Sequence, residues 1–285
     1  MDIRAHFDSR GSAVRVWPAG GAGGCAAGSE SRERERRVGA AECEHERGDG
    51  GQAQAGLPIG EPRERGEALH RHRAGRKAFA VVNDKGKLQG YAMHSRFHSA
   101  STVKSMLLVA YLRMLGSEHR ALGEEDREVL YPMIHSSDNE AATDVLSIVG
   151  EGRLNGVARA ARMRDYEPAG ATWGFTEVSA ADLARFFYVQ DRLIPRRYVG
   201  YARWLFSTIE ASESWGIPAV ARPEFTVFFK GGWLPEIEGL VNQVGRLEGR
   251  GITFSLAVMS THDRSMEYGE RTIEGVTARL LGRAR

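Results

Sequence analysis

The sequence predicts an α+β sandwich: an antiparallel five-stranded sheet assembled from both ends of one domain, covered by helices, with an all-helical lobe inserted between its two halves. Two observations carry this. Strand-like segments fall into two groups, residues 78–82 and 88–93 at the start of the domain and residues 225–230, 239–246 and 252–259 near its end. Between them the periodicity is helical, and the first helix there is apolar on every side, as a helix at the centre of a packed lobe must be.

Taken in order, residues 1–76 are rich in Gly, Arg, Glu and Ala, carry the run Ser31-Arg-Glu-Arg-Glu-Arg-Arg37, and show neither helical nor strand period. Such a composition cannot bury enough apolar surface to offset its ordering entropy. It is expected to be a disordered or non-native extension ahead of a domain at 77–285. Cys25 and Cys43 both lie in it, so the domain has no internal disulfide or thiolate metal site; His70 and His72 read as solvated.

Asn83-Asp-Lys-Gly86 is a tight turn joining the first two strands. A helix is expected over 101–115 around Met106-Leu-Leu-Val-Ala-Tyr-Leu112. Another starts near Glu124, breaks at Tyr131-Pro132 where an N–H is missing, and resumes over 138–149. Ser179 caps a further helix through Phe187, and a last helix covers 268–281.

The chain has 39 basic against 37 acidic residues, a formal charge of +2, which is too little for a nucleic-acid surface. No stretch approaches the roughly 20 apolar residues of a membrane span, and residues 14–25, mostly Gly and Ala, do not form a secretory signal.

Three short motifs carry chemistry. Ser101-Thr-Val-Lys104 places a hydroxyl and an amine on one face of a helix start, a nucleophile beside a base that burial would activate. Ser137-Asp-Asn139 is either a helix cap or a second hydroxyl for proton relay with an amide to hold a substrate carbonyl. Lys230-Gly-Gly232 ends a strand. It reads either as a surface lysine before a turn or as a strand edge on which a substrate lies flat, with the Trp233 N–H joining that of Ser101 in an oxyanion hole.

In that order the three motifs, with Phe97-His-Ser-Ala-Ser-Thr-Val-Lys104 and Ser137-Asp-Asn-Glu-Ala-Ala142 around the first two, resemble the class A β-lactamases and penicillin-binding proteins. The similarity runs from Lys77 to Leu281. It implies Ser101 as the acylated nucleophile, Lys104 as its proton partner, Ser137 as the relay, Asn139 and Gly232 as substrate contacts, and Lys230 as the cation for a substrate carboxylate. The segment between Lys104 and Ser137 is shorter than in typical class A enzymes. Gly231 replaces the usual threonine, leaving the carboxylate to Lys230 with Ser214 or Thr226. Tyr166-Glu-Pro168 matches only the front of the loop bearing the water-activating glutamate, so Glu167 is either the deacylation base or an exposed carboxylate. Trp173, Trp215 and Trp233 either line the cleft or pack in the core.

The resemblance implies a monomeric serine hydrolase, without metal or organic cofactor, that opens a β-lactam amide through a Ser101 acyl-enzyme. The alternatives are a D-alanyl-D-alanine peptidase or transpeptidase acting on cell-wall peptides, and a non-catalytic penicillin-binding module. Family members work outside the cytoplasm.

Overall fold

The computed structural model describes residues 75–222, 224–234 and 239–283. The expected disorder of residues 1–76, with both cysteines, His70 and His72, lies outside them save for Gly75 and Arg76. Everything below belongs to the compact unit 52–285.

The five-stranded sheet has the order β2-β1-β7-β6-β5, all antiparallel, with β1 Arg76–Val82, β2 Leu88–Tyr91, β5 Thr226–Leu234, β6 Leu240–Gly249 and β7 Ile252–Thr261. The N-terminal hairpin completes a sheet begun by the last three strands, as the two groups of strand segments predicted. β1 pairs across to β7 with Phe79 opposite Val258, and both strands are buried on both faces. Near-continuous apolar runs such as Phe79-Ala-Val-Val82 belong to strands covered twice.

The covers are α4 Ala180–Leu193 and α7 Met266–Leu280. Ser255 on β7 donates to Ala184 O of α4 at 2.6 Å. Lys77, paired with Ser260 across β1 and β7, directs its amine at the Tyr268 ring of α7, 5.6 Å away. Ser255 and Ser260 are an odd number of residues apart on one strand, so α4 and α7 lie on opposite faces. Lys77 is buried in an ion pair with Asp263.

The helical lobe contains α1 Lys104–Ser117, α2 Glu124–His135 and α3 Asn139–Ala160. In α1, Met106, Leu107, Leu108, Leu112 and Leu115 are all fully buried, each contributing about 1.5–3 kcal/mol of transfer free energy. Asp126, buried at the head of α2, accepts from the two terminal guanidinium nitrogens of Arg120, from Tyr111 and from the Gly123 backbone. That network fastens the short α1–α2 connection.

Three expectations need correction. The predicted break at Tyr131-Pro132 does not occur: α2 runs through Pro132 to His135, and the Pro132 carbonyl accepts from Ser136 and Asp138 as the helix ends. α3 extends to Ala160 across a kink at Gly150, whose φ of 71° is non-helical. Helices α5 Arg196–Ser207 and α6 Ile217–Ala221 were not foreseen, nor was the small sheet of β3 Arg96–His98 with β4 Glu177–Ser179.

Candidate active site

Ser101 lies in a 3-10 turn, Ala100–Val103, that leads directly into α1. The turn is fixed from below by Asn242, buried on β6, which donates to His98 O at 2.8 Å. It is fixed from the side by the Ser99 backbone N–H on Thr176 O at 2.8 Å. The residue before Ser101, Ala100, has φ 46°, and Ser137 has φ 56°. Both are left-handed positions that a side chain disfavours, and surrounding structure must hold them. Ser101 itself is half-buried.

Lys104 extends from the first residue of α1 into the lobe and is fully buried. Its amine donates to the Ser137 carbonyl, to Asn139 Oδ1 at 2.8 Å, and lies 3.3 Å from Ser137 Oγ. The Trp173 ring stands 4.9 Å from it. A neutral amine has two N–H groups and one lone pair. Two oxygens that only accept take the former, and a hydroxyl that can also donate is left for the latter. Burial, followed by the charge of Lys230, pushes the Lys104 amine down to about 7.

The Ser137-Asp-Asn139 segment caps a helix and also lines the Lys104 amine. Asp138 caps α3 by accepting from Ala141 N at 2.8 Å, while Ser137 and Asn139 face Lys104. The cap and the site are one structure.

Gly232 is where β5 meets the Ser101 turn. A Cβ there would stand 2.7 Å from the Ser101 nitrogen, 2.8 Å from that of Thr102 and 2.9 Å from Ser99 O, so no side chain fits. Lys230 lies two residues earlier on the same strand face. On the other face the Trp215 indole packs on Gly231, its ring carbons 3.1 and 3.2 Å from a Cβ position, and meets Trp233 edge-on at 6.1 Å. The Trp215 carbonyl accepts from Gln243 at 2.8 Å, which pins the ring's backbone.

No protein-family profile matches the sequence, and no curated protein matches it. Solved structures do. A β-lactamase from Sphaerobacter thermophilus superposes with a TM-score of 0.67 at 20% identity, over 76% of this chain and 94% of that one. PBP-A gives 0.68 at 18% identity, over 79% and 96%. A β-lactamase from Xanthomonas campestris gives 0.69 at 14% identity, over 78% and 96%. The chain has the class A β-lactamase fold.

Within this β-lactamase fold the structure brings Lys104, Ser137 and Asn139 into one contact group and sets Gly232 against Ser101. Two sequence expectations fare differently. Glu167 is paired through its backbone with Glu177, on the edge of β4 opposite to β3, and its carboxylate binds Arg96 at 2.8 Å while 62% exposed. It therefore lies across β4 from the strand that leads to Ser101, as the exposed carboxylate rather than as a group facing Lys104. The loop around it is held by Asp182, which accepts from the Arg164 and Asp165 backbones, and by Asp165, which binds His94 and Ser179.

Lys230 is not a free cation. Its amine is 2.8 Å from Glu213 Oε2, the two side chains being 0% and 5% exposed, and it also reaches Gly231 O at 3.2 Å. Burial pushes its amine down and the Glu213 carboxylate pulls it back up. Neither proposed helper replaces it: Ser214 Oγ donates to Glu210 O at 3.3 Å, and Thr226 is exposed at the far end of β5. Glu213, on a 3-10 turn between α5 and α6, carried no sequence signal beyond being one acid among several. Trp173 stands over Lys104 and Trp215 lies against Gly231 with Trp233 edge-on to it, while Trp173 and Trp215 also pack against the hydrophobic core.

Proposed function

We propose that this chain is a serine acyl-transfer enzyme whose nucleophile is Ser101. The observation that carries this is the buried Lys104 amine, ringed by Ser137 and Asn139 without a carboxylate among its hydrogen-bond partners. A lysine so held is unprotonated for much of the time near neutral pH and is one helical turn from the Ser101 hydroxyl. Lys104 takes the Ser101 proton as Oγ bonds the acyl carbon. The proton then passes through Ser137 Oγ to the leaving nitrogen or oxygen as the acyl bond breaks. The Ser101 N–H, with that of Trp233, receives the developing oxyanion, and Gly232 keeps that space open. No cofactor is needed for this chemistry.

A strained β-lactam amide is the covalent probe that this reading favours. A variant of PBP-A is described as an acyl-enzyme complex with penicillin G, and it shares this fold with a TM-score of 0.67. With Glu167 turned to Arg96, the acyl group is expected to be released slowly, the behaviour of a penicillin-binding protein rather than of a rapid β-lactamase. Such enzymes meet their substrates outside the cytoplasm, and we place this one there on the same reasoning.

Intact-mass measurement of the full chain, incubated with benzylpenicillin and with p-nitrophenyl acetate, tests the proposal. One acyl mass should appear on Ser101 and none in Ser101→Ala. Modification at another residue, or none with either reagent, contradicts it.

A further inference from the structure

Penicillins and D-alanyl peptides both carry a carboxylate, and a cleft that selects them must offer it a cation or hydroxyl donors. The corner beside Ser101 is built otherwise, on three separate observations. Lys230 and Glu213 form a buried pair at 2.8 Å, whose net charge is zero whichever atom holds the proton. Gly231 has no hydroxyl, and the Trp215 indole lies against it where a threonine side chain would project. The Ser214 hydroxyl is turned to Glu210 O at 3.3 Å. An entering carboxylate would meet an aromatic wall and a lysine whose counter-ion is already in place, so it would leave water without gaining a partner.

We propose that Glu213 sets the substrate class of this cleft: by holding the Lys230 amine it turns the site away from carboxylate-bearing acyl donors and towards neutral esters and amides. This rests on the Ser101 acyl-transfer reading. In the favoured reaction Ser101 Oγ bonds the acyl carbon of a neutral donor, the bond to the alcohol or amine breaks, and the leaving group takes the proton that Ser101 lost. Glu213 touches no reacting atom and acts through Lys230, as a specificity-determining residue.

The test compares acylation of Ser101 in the full chain by benzylpenicillin and by its neutral methyl ester, with p-nitrophenyl acetate as a third reagent, followed by intact mass. The parent should react at least about 10-fold faster with the methyl ester than with the carboxylate, and Glu213→Gln should shift that ratio towards the carboxylate by about 10-fold. The double variant Lys230→Met with Glu213→Leu has no buried charge to strand, and its equally neutral corner should keep the parent's ratio. The inference is overturned if the parent prefers the carboxylate, if folded Glu213→Gln leaves the ratio unchanged, or if the double variant changes it. If Glu213→Gln does not fold, the parent's preference and the double variant still decide. Should no reagent label Ser101, the serine reading falls and this inference with it; labelling with a preference for the carboxylate removes the inference alone.

Discussion

Lys104 and Lys230 are both fully buried, both belong to motifs legible in the sequence, and both have amines pushed down by burial, yet their surroundings make them different instruments. Around Lys104 the hydrogen-bond partners are a carbonyl, an amide oxygen and a hydroxyl, which suit a neutral amine. Around Lys230 the partner is a carboxylate, Glu213, and the two form a closed pair. Burial alone thus does not tell what a lysine does; the charge of its nearest acceptor does. On the proposed reading Lys104 exchanges a proton, whereas Lys230 is held by its partner.

The contrast predicts two unlike losses. Lys104→Ala should slow acylation of Ser101 by about 10²–10⁴-fold, the usual contribution of a general base, as measured by stopped-flow or intact-mass kinetics. Lys230→Met should instead strand the Glu213 carboxylate and cost about 3–5 kcal/mol of folding stability, measured by urea denaturation. If Lys104→Ala is the more destabilising variant and acylates at the parental rate, the two roles have been exchanged.

The next effect concerns Gly232. Gly232→Ala places a Cβ 2.7 Å from the Ser101 nitrogen, and the backbone there must shift. Acylation should fall by about 10²-fold, as when an oxyanion-hole donor is lost, whereas Gly152→Ala, where a Cβ meets nothing within 4 Å, should leave it unchanged. Equal rates in the two variants would remove Gly232 from the site. The smallest effect is at the periphery: Glu167→Gln weakens an exposed ion pair with Arg96 and should alter acyl release by less than about twofold. A stable adduct in that variant, with steady turnover in the parent, would restore Glu167 as the deacylation base.

The sheet was legible because its strands are either near-continuous apolar runs or end in a motif, and the two groups of strand segments fixed how it closes. α1 was legible because an all-apolar helix has only one place to go. α5 was readable but missed: within Arg196–Ser207 the buried Tyr198, Ala202, Leu205 and Phe206 stand at i, i+4, i+7 and i+8, the amphipathic period. The proline at 132 misled because helix α2 buries Leu130, Met133 and Ile134, and that packing outweighs one missing N–H. In the site, the residues within motifs were readable and Glu213 was not. Its role is created by α5 and α6 bringing the turn between them to the end of Lys230, a contact with no local sequence pattern. Gly231 was legible as a departure, but that Trp215 occupies the space it leaves needed three dimensions.

If burial makes Lys104 the base for Ser101, the pH dependence of Ser101 acylation by a neutral aryl ester must show it. An amine accepts a proton only when unprotonated, so the rate should rise with pH through about 7 and level off above it. Lys104→Ala should lose that rise together with most of the rate. A profile flat from acid to alkaline pH, or a rise that persists unchanged in Lys104→Ala, would show that Lys104 is not the base.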